Sequence, residues 1–240
     1  SVDGFRKETL EAIKSVKWYP AWGEERISKM VEDRNDWCIS RQRTWGVPIP
    51  VFYCKECEKE YVTDESLEKV QKIFKEQGSN AWFGLSEKEL MPENAKCSAC
   101  GCTEFKKETD IMDVWFDSGS THESVVAERG LPPANLYLEG SDQYRGWFQS
   151  SLLTSVATKG VAPYKEVLTH GYTVDEQGRK MSKSIGNTIA PQDIIKESGA
   201  DVLRLWVLSS DYKSDVSVSK NIIKQVTEVY RKIRNTARYI

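Results

Sequence analysis

The sequence predicts an α/β fold, on three observations. Leu136–Gly140 reads as a short buried strand that meets a turn at a glycine. A helical pattern follows over about 144–158, and a second strand-like run covers Glu166–Tyr172. Strand, helix and strand in alternation argue for parallel pairing, since parallel strands need a crossover between them. Paired cysteines further upstream and an amphipathic segment at the end of the chain fall outside this unit.

Taken in order, Phe5, Thr9, Ala12, Ile13 and Val16 recur at helical spacing and predict a helix over 3–17. Tyr19-Pro20 breaks it, and a second helix is expected from Gly23 to Asp33. The stretch from Asn35 to Gly46 is dense in aromatic and basic residues and ends in Val47-Pro48-Ile49-Pro50, where two prolines forbid a helix interior. Val51–Cys54 reads as a strand, and 64–77 as a charged amphipathic helix with Asp64 as N-cap. After the α/β unit, Asp175-Glu176-Gln177-Gly178 is a turn. Pro191 suits the first turn of a helix through Glu197, which Gly199 ends, and a further helix runs to about Leu208. In Lys220–Ile240, residues Ile222, Ile223, Val226, Val229, Tyr230, Ile233 and Ala237 form one stripe that needs partners to cover it. The chain stops within this stripe without a Gly or Asn cap and opens without Met, so it is expected to be an internal piece of a longer protein.

Of 240 residues, 39% are hydrophobic and 29% charged, as in a globular protein. No apolar run is long enough to span a membrane, and the first residues read as an acidic–basic amphipathic helix rather than a signal peptide. A cytoplasmic location is the expectation. The net charge of −2 argues against wholesale coating of nucleic acid and leaves room for local basic patches.

Six cysteines in a reducing compartment point to metal before disulfides. Cys54-Lys55-Glu56-Cys57 and Cys97-Ser98-Ala99-Cys100-Gly101 are two C-x-x-C units. Together they supply four thiolates, the set a closed tetrahedral Zn2+ site needs, and a closed site is structural. Gly101 suits a knuckle in which backbone amides turn toward sulfur. Cys102 could replace Cys100 as the fourth ligand, and four ordinary thiols are the plainer alternative. Cys38 reads as a small core residue.

Lys180-Met181-Ser182-Lys183-Ser184-Ile185-Gly186-Asn187 follows a strand and turn and precedes a helix. Two ammonium groups three residues apart can converge on a triphosphate, and Ser182 and Ser184 add hydroxyl donors. Lysines that close over a leaving pyrophosphate stabilise its growing charge more in the transition state than in the ground state. A solvated basic loop is the alternative on composition alone.

The string itself decides between them, because it matches the KMSKS signature of class I aminoacyl-tRNA synthetases letter for letter. Ser40-Arg41-Gln42-Arg43-Thr44-Trp45-Gly46 resembles a phrase of the branched-aliphatic enzymes. Asp113-Val114-Trp115-Phe116-Asp117-Ser118-Gly119 resembles DVWFDSG, and Leu138-Glu139-Gly140-Ser141-Asp142-Gln143-Tyr144-Arg145-Gly146-Trp147-Phe148 is similar to the EGSDQ–RGWF segment, both of the isoleucyl branch. The resemblance covers essentially the whole chain. It implies the C-terminal half of a Rossmann-type catalytic domain, with a zinc-binding insert and the start of a helical bundle. On this reading residues 1–45 connect from an editing insertion, 46–110 are the zinc insert, 111–210 the half-domain with the KMSKS loop, and 211–240 the start of the anticodon-binding helices.

The resemblance further implies ATP, with Mg2+, isoleucine and tRNA(Ile) as ligands. Adenylates in such folds lie at the carboxyl ends of parallel strands. Glu139, Gly140, Asp142 and Gln143 are the implied adenylate contacts, although Glu139 and Asp142 could serve as turn and N-cap residues. His170 and Gly171 are expected near the adenine or phosphates, or His170 is a satisfied buried ring. Lys180 and Lys183 are the implied catalytic cations, with Met181, Ser182 and Ser184 beside them. Trp115 and Trp147 would wall the aliphatic pocket; the other six Trp are read as core. Such a wall discriminates a missing methylene by only about 1–3 kcal/mol, for which isoleucine against valine is itself the standing example. Arg41 and Arg43 would reach the tRNA acceptor end or pair with an internal carboxylate.

The family's HIGH signature is absent, since neither His122 nor His170 lies in such a string. The editing domain and most of the anticodon-binding helices are absent too, so the chain alone is expected to be inactive and to work with the remainder of the synthetase. Two rival readings, a zinc-dependent RNA-binding module and a non-catalytic interaction fragment, leave the three phrases unexplained.

Overall fold

In the computed structural model, which describes residues 2–240, the opening helix α1 (Val2–Lys14) ends short of the predicted 17, and Ser1 of the predicted amphipathic start lies outside the described residues. Residues 17–19 form strand β1 (Lys17–Tyr19) instead. The override is tertiary: β1 runs parallel to the strand at 164–170, with Trp18 opposite Val167, and buries the Trp18 ring. The Trp18 indole donates to the Ile13 carbonyl at 3.2 Å. Helix α2 (Trp22–Glu32) follows close to its expected place, then strand β2 (Ser40–Arg41).

Strand β3 (Phe52–Cys54) lies between β4 (Glu60–Tyr61) and β5 (Phe105–Lys107), antiparallel to both; helices α3 (Asp64–Gln77), α4 (Ala81–Gly84) and α5 (Glu87–Leu90) intervene in the chain. Thr63, not Asp64, is the N-cap of α3: its hydroxyl accepts from the Ser66 amide, and the Ser66 hydroxyl accepts from the Thr63 amide. Asp64 sits in the first turn, where its charge favours the helix dipole. Phe52, Val70, Trp82, Leu90 and Phe105 make a core of their own for this unit. Strand β6 (Ile111–Met112) pairs back onto β2, so the unit leaves and returns across one two-stranded ribbon.

Helix α6 (Val114–Gly119) and a π-helical turn at His122–Ala127 lead to β7 (Ala134–Gly140), a 3-10 turn at Ser141–Tyr144, α7 (Trp147–Lys159) and β8 (Tyr164–His170). The sheet order is β1-β8-β7, all parallel as the strand–helix alternation predicts. Helices α1, α2 and α7 cover one face, with Ile13, Trp18, Ile27, Tyr137, Phe148, Leu152 and Val167 buried there. Helix α7 is buried on several sides, with Ser150, Ser151 and Ser155 among its hidden residues. Small side chains let α6 approach: a Cβ on Gly119 would lie 2.8 Å from the Ser150 carbonyl carbon. The expectation of a buried 136–140 strand needs correction. Tyr137 is buried, but Leu136 and Leu138 point to the other face and are exposed, because this chain's helices cover only one side.

Strand β9 (Thr173–Val174) leads into the 180–187 loop, then α8 (Pro191–Ser198), α9 (Ala200–Leu208), strand β10 (Val216–Ser217) and α10 (Lys220–Tyr239). Strands β10 and β9 pair in parallel. Ile194, Val202, Val218 and Ile223 form the third core. Ser219 caps α10 by accepting from the Ile222 amide at 3.2 Å. Only the first half of the predicted stripe is covered: Ile223 is buried, whereas Val229 and Ile233 are exposed. No helix among the described residues is long and apolar enough to cross a membrane. Two other expectations fail. Cys38 is exposed, and among the Trp read as core Trp22 is 44% and Trp45 87% exposed, because both sit on surface segments beside turns.

Candidate active site and metal centre

Strands β7 and β8 end level with each other, Gly140 opposite His170. The implied adenylate contacts therefore gather on one edge: Glu139 and Asp142 are exposed there, with Gln143, His170 and Gly171 partly buried. A Cβ at Gly140 would lie 2.9 Å from Asp142 Oδ1, 3.6 Å from the His170 ring and 3.9 Å from the Tyr172 ring. His170 Nδ1 lies 2.8 Å from the Gly171 carbonyl. Asp142 is not the cap of α7. Gln143 does that work, its Oε1 accepting from the Trp147 amide at 2.9 Å.

The two indoles flank Gly146, where a Cβ would lie 2.9 Å from the Trp115 ring. Their surroundings differ. Trp147 stacks on Tyr137 with centroids 3.9 Å apart and donates from Nε1 to the Ser118 carbonyl at 3.0 Å. Trp115 remains 43% exposed. Its backbone is fixed by Asp113, which caps α6 and accepts from the Trp115 amide at 3.0 Å. The other Asp113 oxygen accepts from Arg41 at 2.5 Å and from the Trp37 indole at 3.0 Å. Burial opposes the charge on Asp113, but these donors hold its carboxyl below the usual range. Arg41 thus has an internal partner. Arg43 is exposed, its guanidinium donating only to the Gln42 carbonyl among the described residues.

The KMSKS loop hangs from the same edge. Lys180 Nζ sits 4.0 Å from the Tyr172 ring centroid, so Tyr172 bridges this lysine to the Gly140 edge. Lys180 and Lys183 are exposed and neither is ion-paired among the described residues. Met181 is half-buried against the third core. The Ser182 and Ser184 hydroxyls are 2.6 Å apart.

Sequence reasoning missed what holds this loop. Buried Asp175 accepts from the Gln177 and Arg179 amides, from Arg179 Nε at 2.8 Å and from Asn187 Nδ2 at 2.9 Å. Asn187 in turn accepts from the Ser182 amide at 2.8 Å. Led by the Asn187 bond, these donors draw the Asp175 carboxyl down to about 2. An aspartate opening a D-x-x-G turn was the available signal, since Asp side chains bond the backbone two residues on.

The two C-x-x-C units meet. Sγ atoms of Cys54, Cys57, Cys97 and Cys100 all lie within 4.8 Å of one another, with Cys54–Cys100 and Cys57–Cys97 each at 3.5 Å. Four sulfurs around one Zn2+ at 2.3 Å would be about 3.8 Å apart, so the set fits such an ion. The Cys57 amide, followed by that of Glu56, draws the Cys54 thiol down to about 6 against burial. Gly101 turns the second knuckle at φ +75°. Cys102 is outside the group, its sulfur accepting from the Glu104 amide at 3.3 Å.

Comparison with known proteins follows the same lines. The isoleucine–tRNA ligase of Caldicellulosiruptor saccharolyticus is 64% identical over 242 aligned residues, covering all of this chain and 26% of that protein. The isoleucine–tRNA ligase of Moorella thermoacetica is 63% identical with the same coverage. The chain therefore spans about a quarter of the length of these curated relatives. Among solved structures, the methionyl-tRNA synthetase of Mycobacterium tuberculosis bound by methionyl-adenylate superposes with a TM-score of 0.58 at 18% identity, over 93% of this chain and 35% of that one. The LeuRS–tRNA–LeuAMS ternary complex of Agrobacterium radiobacter gives a TM-score of 0.57 at 22% identity, over 84% of this chain and 27% of that one. The family model for tRNA synthetases class I (I, L, M and V) matches residues 1–219. With that match across most of its length, the chain belongs to the class I tRNA synthetases of the I, L, M and V group.

Proposed function

We propose that this chain supplies the KMSKS side of the catalytic site of an isoleucyl-tRNA synthetase, with residues 1–45 as connector, 46–110 as zinc insert, 111–210 as half-domain and 211–240 as the start of the anticodon-binding helices. The observation that carries the reading is the KMSKS loop anchored, through Tyr172, beside the carboxyl ends of two parallel strands. In such folds that edge is where nucleotides bind. The exposed faces of Leu136 and Leu138 would be covered by the rest of the enzyme.

In the first step the isoleucine carboxylate attacks the α-phosphorus of ATP, forming the acyl-adenylate as the bond to the β-phosphate breaks and pyrophosphate leaves. In the second, a hydroxyl of the terminal ribose of tRNA(Ile) attacks the acyl carbon and AMP departs. Neither needs a covalent protein nucleophile, so positioning and charge carry the rate. Lys180 and Lys183 offset charge on the departing pyrophosphate, and the Mg2+ that accompanies ATP would add to that offset. Glu139, Asp142 and Gln143 orient the adenylate, Gly140 permits its close approach, and His170 and Gly171 border the adenine or phosphates. Trp115 and Trp147 wall the side-chain pocket, and Arg43 is the free cation for the acceptor end. Zn2+ on Cys54, Cys57, Cys97 and Cys100 would close the insert as a structural ion. The enzyme would act in the cytoplasm.

The test is isoleucine-dependent ATP–pyrophosphate exchange by the full-length protein carrying this chain. Exchange driven by isoleucine well above valine, and lowered about 10²- to 10³-fold by Lys183→Ala, is the expected result. Exchange indifferent to the amino acid, or untouched by Lys183→Ala, would refute the reading.

A further inference from the structure

A second basic site lies away from the KMSKS loop. A groove of about 540 Å3 runs between α2 and the start of α7, lined by Arg26, Lys29, Arg34, Arg145 and Gln149, with Asp33 as its carboxylate. Lys29 is paired with Glu25 at 2.5 Å. Arg26, Arg34 and Arg145 have no carboxylate partner among the described residues. Three guanidinium groups gathered with one acid between them leave positive charge that proteins ordinarily pair when it is partly buried. Arg34 is the half-buried one, and burial lowers its hold on the proton against the pull of the Asp113 carboxylate, which lies outside the groove lining and makes no ion pair with it.

The polar floor points the same way. Gln149 is 3% exposed, and its Oε1 accepts from Arg34. Its Nε2 has no hydrogen-bond partner among the described residues, which leaves an amide donor at the groove. Helix α7, thirteen residues long, begins beside it; Gln143 takes up its Trp147 amide, so the positive field here comes from the side chains and not from the helix end. At the rim, Trp22 is exposed, with the Arg26 guanidinium 5.7 Å from its ring and 5.3 Å from that of Tyr144. Unpaired arginines beside an exposed indole are the chemistry of a phosphodiester strand with a stacked base.

We infer that Arg26, Arg34, Arg145 and Gln149 form an anion site that holds a backbone phosphate of the RNA substrate, with Trp22 as the stacking surface for an unpaired base. The identity of the RNA rests on the function proposed above; the phosphate chemistry does not. A guanidinium fork meets two phosphate oxygens at once, so arginine suits this task better than lysine.

The experiment compares the full-length protein with its Arg26→Gln/Arg145→Gln variant, and with Arg145→Lys as the charge-conserving partner. Affinity for tRNA at several salt concentrations is measured alongside isoleucine-dependent pyrophosphate exchange, which uses no RNA. The double variant should bind tRNA about tenfold more weakly, with the slope of log K against log salt shallower by about 1 to 2, and exchange within twofold of the parent. Arg145→Lys should recover part of the affinity. Unchanged affinity and slope would overturn the inference. A loss of exchange with tRNA binding intact would also overturn it, by assigning the groove to activation. If the parent neither exchanges nor binds tRNA, the function proposed above has failed instead. Titration with inorganic phosphate then decides: saturable binding lost in the double variant keeps the site as one for free phosphate, and no binding removes it.

Discussion

Replacing Gly171 by Ala tests how the KMSKS arm is attached. Its φ is not in the left-handed region, so the backbone itself would tolerate a side chain. The obstacle is space: a Cβ there would lie 2.2 Å from the Ser214 carbonyl oxygen and 2.6 Å from the Asp215 nitrogen. Ordinary contact needs about 3.4 Å, so the 212–216 segment must retreat by about 1 Å. That segment is held by three short bonds: the Gly171 amide to Tyr212 O at 2.9 Å, the Tyr172 amide to Asp215 Oδ1 at 2.7 Å, and the Val216 amide to Tyr172 O at 2.8 Å. Lengthened by about 1 Å, none remains a hydrogen bond. Overpacking costs about 1–3 kcal/mol and each lost bond about 0.5–1.5 kcal/mol, so at the low end of these ranges about 3 kcal/mol of local stability should go. Amide hydrogen exchange reads this directly: protection at Val216 and Val218 should fall about 100-fold, while Val167 in the sheet keeps its own. Gly178→Ala is the control, since nothing lies within 4 Å of its Cβ and only the positive φ of 73° opposes it, at about 1–2 kcal/mol. Protection at Val216 unchanged within threefold in Gly171→Ala would refute the argument.

Acid should loosen the loop through Asp175. Its folded carboxyl titrates at about 2, below the ordinary 3.8, so its contribution is complete above the ordinary value and is lost as pH falls toward and through 2. Limited proteolysis within 180–187 should therefore rise over that window, and Asp175→Asn should raise it already at pH 7. Cys100→Ser should abolish stoichiometric zinc in native mass spectra, whereas Cys102→Ser should keep it; the reverse would reassign the fourth ligand. The two tryptophans of the proposed pocket should separate. Trp147→Ala, removing a stacked and hydrogen-bonded ring, should cost about 3–5 kcal/mol in denaturant unfolding, and Trp115→Ala should cost less than half as much while weakening binding of an isoleucyl-adenylate analogue.

Much of the sheet was legible because β7, α7 and β8 carry their own local pattern, and α8 to α10 carry proline, glycine and amphipathic signals. Strand β1 was not. Lys17 reads as the end of a helix and Tyr19-Pro20 as its breaker, and only pairing with β8 makes the three residues a strand. The thiolate group was written in its spacing, but the choice of Cys100 over Cys102 needed the fold of the knuckle. The cations of the loop could be read from its letters; Asp175 beneath it showed only as the opening of a turn, and its bond to Asn187, twelve residues on, left no periodic trace. The exposure of Trp45 and Cys38 likewise depends on which face the ribbon turns outward.

The pairing of Lys17 with Glu166 joins residues about 150 positions apart. During synthesis at roughly 5–20 residues per second, β1 would wait on the order of 10 to 30 s for the strand beside it to leave the ribosome. The cysteine unit returns on itself through β3 and β5 well before that, so it can close on the nascent chain while α1 and α2 still lack a sheet to cover. Its antiparallel ribbon at β2 and β6 then brings the two ends of the excursion together, shortening the loop that the parallel sheet must finally close.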